Sequence, residues 1–122
     1  MSRISICIAV VGLAAAPATP AQDRASVVPD MTVLLENECV RMQFHDVAVG
    51  EKTAMHSHSK YAVYVFNPYK ARITVADGLQ RVSQHKAGDA FWNEASRHMV
   101  ENIGDAPIHN LVVELQPGPG CH

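Results

Sequence analysis

From Met31 onward the sequence keeps one rhythm. Short runs of apolar and β-branched residues are cut by turn residues at intervals of about 8–12 positions, and no run carries a helical period with start and stop signals. Cys39 to Val49 alternates, with Val40, Met42 and Phe44 on one face and Arg41, Gln43 and His45 on the other. The apolar three are therefore expected inward and His45 outward. Tyr61 to Phe66, Ala71 to Val75, Leu79 to His85, Ala90 to Trp92, His98 to Ile103 and Ile108 to Leu115 read as further strands. Asp77-Gly78 marks a hairpin, and Gly50-Glu51-Lys52, Lys86-Ala87-Gly88-Asp89 and Gly104-Asp105-Ala106-Pro107 mark turns. Many short strands with no helix bury their apolar faces in a sandwich or barrel, so the fold class is all-β.

The N-terminus breaks this rhythm. Arg3 precedes an apolar run from Ile4 to Ala16, and Pro17 and Pro20 end it among small alanines. That pattern predicts a signal peptide over 1–21, cleaved after Ala21, and hence a periplasmic or secreted protein with no membrane partner after cleavage. An arm at 22–30, a barrel domain at 31–116 and a tail at 117–122 would follow. The 122 residues suit one domain, and 48% hydrophobic content suits a packed globule. A net charge of −2 with scattered basic residues leaves no electrostatic footprint for nucleic acid. Cys7 goes with the leader; Cys39 and Cys121 remain, and a bridge or two free thiols are both open.

Two histidines separated by one residue, His56 and His58, share a face of an extended chain and can grip one metal ion. His98 follows a second glycine-led segment, Gly88-Asp89-Ala90-Phe91-Trp92. Other residues compete for roles. His109 alternates with Leu111, Val113 and Leu115 and is expected inward, as a ligand, a support for one or a core histidine. Tyr64 and Trp92, with Tyr61 and Phe91, are candidates for a pocket wall, and Glu94 for an acid or base at its mouth. Glu101 has the opposite strand parity to His98 and should face away; His85 sits at a turn and is expected in solvent. Arg97 reads as a surface charge beside His98.

Gly50, five residues, then His56-Ser57-His58 resembles the first motif of the cupins. Gly88 through His98-Met99-Val100-Glu101-Asn102 resembles the second. Val40-Arg41-Met42, Lys86 to Trp92, Val100 to Asp105 and Val112 to Leu115 are similar to segments of small single-domain cupins, so the likeness covers roughly 31–116. It implies a jelly-roll barrel (a double-stranded β-helix) of six to eight strands, with a metal at its mouth and often built as a homodimer. It carries over His56, His58 and His98 as ligands. The sequence departs from the motifs at two places. Ala62 and Val63 stand where the first motif has a glutamate ligand, and Glu94 and Ser96 where the second has proline and glycine. A three-histidine site for a divalent transition metal results, with Fe, Zn, Ni, Cu and Mn not distinguished. The expected function is a metal-dependent oxygenase or isomerase acting on a small organic molecule. The alternatives are a non-catalytic metal- or ligand-binding protein, or a structural module.

Overall fold

The computed structural model describes Gly12 and residues 31–121. Apart from Gly12, the expected leader at 1–21 lies outside the described residues, as do the arm at 22–30 and the last residue of the tail.

Nine strands form among the described residues: β1 (Met31–Glu36), β2 (Val40–Val47), β3 (His56–His58), β4 (Tyr61–Val65), β5 (Tyr69–Val75), β6 (Gln80–His85), β7 (Ala90–Asn93), β8 (Ser96–Asn102) and β9 (Ile108–Leu115). They make two sheets. One runs β1-β2-β9-β4-β7 and the other β3-β8-β5-β6, with every pairing antiparallel. The expectation of an all-β jelly roll holds, with one strand more than the six to eight implied.

The inner faces of the two sheets meet in one core of Val47, Val63, Val65, Ala71, Ile73, Val100, Ile108 and Val112, with Tyr61 and Tyr69. Val63 faces Val112 across β4 and β9, and Ile73 faces Val100 across β5 and β8. Strand alternation puts these β-branched residues on one side, and burying each contributes about 1.5–3 kcal/mol.

Two strands are turned the other way from the sequence expectation. On β2 the inward residues are Arg41, Gln43 and His45, all buried, while Val40, Met42 and Phe44 are only half-buried on the outer face. His45 is therefore not a surface residue. On β9 the inward set is Ile108, Asn110, Val112 and Glu114, and His109, Leu111 and Val113 look outward. Parity was right in both strands and the face was wrong. The expectation assumed that the more apolar face is the buried one, but this barrel has polar groups inside and an apolar outer sheet face. Buried polar groups are tolerated where they find partners. Arg41 pairs with Glu36, and Gln116 Nε2 donates to Glu36 Oε1 at 3.2 Å.

The loop that delivers β3 is laced to β8. Gly50 N donates to Asn102 O, Asn102 N to Glu51 O and Thr53 N to Val100 O. Val100 N in turn donates to the buried Thr53 Oγ1 at 3.0 Å. Gly50 takes a φ of 80°, a left-handed conformation costly for any residue with a Cβ. Of the two options left open for the cysteines the bridge is the one found, and it ties the tail back: Cys121 is disulfide-bonded to Cys39 with Cα atoms 5.3 Å apart.

Candidate metal centre

β3 is too short to hold itself in place and depends on its pairing with β8. That register sets His56 directly opposite His98, and His58 opposite Ser96. Because His56 and His58 share a face, all three rings point into the barrel, and all three are buried. Ring centroids lie 4.7 Å apart for His56 and His58, 4.8 Å for His56 and His98, and 5.1 Å for His58 and His98. One ligand atom from each falls within 4.8 Å of the others.

Two of the rings are oriented by their far nitrogens. His56 Nδ1 lies 2.8 Å from Ala54 O, and a carbonyl oxygen only accepts, so Nδ1 carries the proton. His58 Nδ1 lies 2.6 Å from Glu114 Oε2, with both side chains almost fully buried. The same reasoning puts the proton on Nδ1. In each ring Nε2 then holds the lone pair that a cation needs, and the carboxylate fixes the tautomer and orientation of His58. Burial pulls the pKa of His98 down to about 3, with the neighbouring His56, His58 and His45 rings and Arg81 adding to the shift. It is therefore neutral at ordinary pH and able to ligate. The donor set fits a borderline divalent transition metal.

Behind the histidines the barrel encloses a cavity of about 210 Å³. Tyr61, Tyr69 and Phe91 wall it, with His45 and Asn110 on one sheet and Arg81, Ser83 and His85 on the other. His45 sits 6.5 Å from the His56 ring, and its pKa falls to about 4, first through burial and then through His56 and His58, against the opposing pull of Asp46. Burial pushes the Tyr61 hydroxyl up to about 12, against the lowering effects of a hydrogen bond to Ser96 and of Arg81.

The remaining candidates lie elsewhere. His109, expected inward, pairs with Asp46 on the outer face and packs on Phe44 and Phe66. Tyr64 and Trp92 are exposed outside the barrel and do not line the cavity, and Trp92 Nε1 donates to Glu94 Oε1. Glu94 also meets Lys60 at 3.6 Å in solvent, and it does not line the cavity. Glu101 faces away from the cluster and pairs with Arg72. His85, expected in solvent, stacks on Phe91 with centroids 4.2 Å apart and lines the cavity. Arg97 is exposed and donates to Ser57 Oγ.

Glu114 was not anticipated. A carboxylate interrupting the apolar run Val112-Val113-Glu114-Leu115 was the available signal, since charge inside a buried strand needs a partner. Asn110 and Arg81 were also missed, as single polar residues within otherwise ordinary strands.

Structural comparison gives the same architecture. A cupin domain from Bordetella pertussis Tohama I superposes with a TM-score of 0.64 at 25% identity, covering 70% of this chain and 90% of that one. The chain is a cupin by fold. An RmlC-like cupin family protein with a double-stranded β-helix fold from Methanocaldococcus jannaschii superposes at 0.58 with 17% identity, covering 78% of this cupin and 91% of that chain. The polyketide cyclase RemF from Streptomyces resistomycificus superposes at 0.55 with 17% identity, covering 75% and 69% respectively. No family model and no curated protein matches the sequence.

Proposed function

We propose that this cupin holds a divalent transition metal on His56, His58 and His98 and uses it to bind or transform a small organic molecule in the barrel. The supporting observation is the convergence of three buried imidazoles, two with their Nδ1 protons engaged by Ala54 O and Glu114. A metal held by these three residues would supply Lewis acidity toward a molecule in the cavity that His58 and His98 line. The chain's own part is to bury three imidazoles together, to keep His98 neutral and to orient the other two through Ala54 O and Glu114.

Elemental analysis of the full chain, natively purified and after reloading, tests this directly. About one equivalent of a transition metal is expected, and strong loss in His56→Ala and His98→Ala with retained β-sheet circular dichroism. Less than about a tenth of an equivalent in the reloaded wild type contradicts the reading.

A non-catalytic version has an observation in its favour. Among the described residues no carboxylate lines the cavity, and burial pushes the Tyr61 hydroxyl in its wall up to about 12. Such a wall suits capture better than proton transfer. The RemF likeness, at 17% identity, conveys the fold alone. Oxygen uptake or isomerisation by the metal-loaded protein would favour the enzyme; tight metal without turnover would favour the binder.

Export is part of the proposal, supported by the leader pattern at 1–21 and by the disulfide. So is a homodimer. Val33, Leu34 and Leu35 are exposed on β1, at one edge of the larger sheet, near the half-buried Met42 and Phe44. A single-chain mass by analytical ultracentrifugation contradicts the dimer.

A further inference from the structure

The cavity wall carries one full charge. Arg81 pairs with Ile73 across β5 and β6, so the two side chains share the inner face, and Ile73 is core. Among the described residues Arg81 makes no ion pair and no carboxylate lines the cavity. On the opposite sheet His45 and Asn110 are cross-strand partners, both buried. Among the described residues His45 Nε2 and Asn110 Oδ1 have no hydrogen-bond partner, although the Asn110 side chain bonds Tyr69. Buried polar atoms left unmatched on a cavity wall are costly unless something that enters satisfies them. Arg81 is exposed to solvent where it lines the cavity, so a guanidinium with no ion-pair partner can meet an anion there, and its planar fork matches a carboxylate. Size limits the rest. An apolar cavity of about 150 Å³ takes up benzene, so about 210 Å³ admits one ring bearing a carboxylate. Tyr61, Tyr69 and Phe91 supply faces for that ring.

We propose that Arg81 anchors the carboxylate of a compact organic acid inside the barrel, whose far end donates a hydrogen bond to Asn110 Oδ1. This deepens the proposed function and rests on its reading of the barrel interior as the ligand site. Arg81 sets specificity through the ligand's charge, and the metal's position is not involved in that choice.

Isothermal titration of the full chain, as purified and zinc-loaded, with benzoate, benzamide and 3-hydroxybenzoate tests it, with metal content measured on the same samples. Benzoate should bind at least about tenfold more tightly than its neutral amide, the worth of a hydrogen bond to a charged group. Arg81→Leu should abolish that preference and keep the metal. Arg81→Lys should retain part of it, and Arg97→Leu all of it. 3-Hydroxybenzoate should exceed benzoate in the wild type but not in Asn110→Leu. Undetectable benzoate binding, or equal binding of benzoate and benzamide, overturns the proposal. So does a preference that survives Arg81→Leu in metal-loaded protein, which would put the carboxylate on the metal and leave the metal reading standing. An Arg81-dependent preference in protein that takes up no metal would sink the metal reading and support this one.

Discussion

His58 is held by a buried carboxylate from β9. Its Nδ1 proton goes to Glu114, and the lone pair on Nε2 faces the other imidazoles. Glu114→Gln keeps the size of that side chain and removes its charge. Metal affinity is expected to fall about 10–100-fold, as for other outer partners of ligating histidines, with the fold unchanged. Competition with a chromogenic chelator reads this, and an unchanged affinity would remove Glu114 from the site. The same residues set a pH dependence. His45 and His98 take up protons in the folded state only near pH 4 and pH 3, whereas unfolded histidine does so near 6.5. Between those values the unfolded chain binds more protons, so the stability of metal-free protein falls as pH drops from 6.5 towards 3 and is full above 6.5. Urea melts of the metal-free chain at pH 7.5 and 4.5 should show it, and equal midpoints would contradict it. Bound metal should steepen the loss, because protons compete for the same nitrogens. At this scale His56, His58 and His98 were legible from spacing. Glu114, Asn110 and Arg81 were not, because one polar residue in a strand announces neither its face nor its partner.

The elements that matter most are the shortest. β3 has three residues, and its register against β8 is reinforced by the loop before it. Thr53 contributes both its backbone and its hydroxyl to Val100. Thr53→Val keeps the shape and strands the Val100 N–H in a buried place, at a cost of about 1–3 kcal/mol. Chemical denaturation should show that loss, with Thr53→Ser retaining most of the stability; a neutral Thr53→Val would mean that the loop is held by other contacts. Turn residues and β-branched runs marked most strands, with boundaries off by a few residues: β5 begins at Tyr69 instead of Ala71, and β8 at Ser96 instead of His98. The inner and outer faces of β2 and β9 were misread because alternation gives parity alone. Which parity is interior depends on what the opposite sheet presents.

Across the whole molecule, Cys39 and Cys121 close a loop spanning most of the described chain, with a separation of 82 residues. Gln116 N donates to Cys39 O beside them, and the tail packs so closely that a Cβ on Gly118 would come within 2.7 Å of Glu38 O. In the chain-entropy view a loop of that size is worth about 4 kcal/mol. Cys39→Ser with Cys121→Ser should therefore unfold at much lower urea than the oxidised wild type and match the reduced one. Equal midpoints for all three would show that the tail is held without the bridge.

Local chemistry in the sequence determined the strand rhythm, the all-β class and the pair of histidines on one face, because turn propensity and two-residue alternation act between near neighbours. The tertiary structure alone decided which faces close around the cavity, that Glu114 supports His58 from 56 residues away, and that Arg81 stands there without a counter-charge. These are contacts between strands far apart in the chain, fixed by sheet pairing and by the packing of one sheet on the other, and no local pattern encodes them.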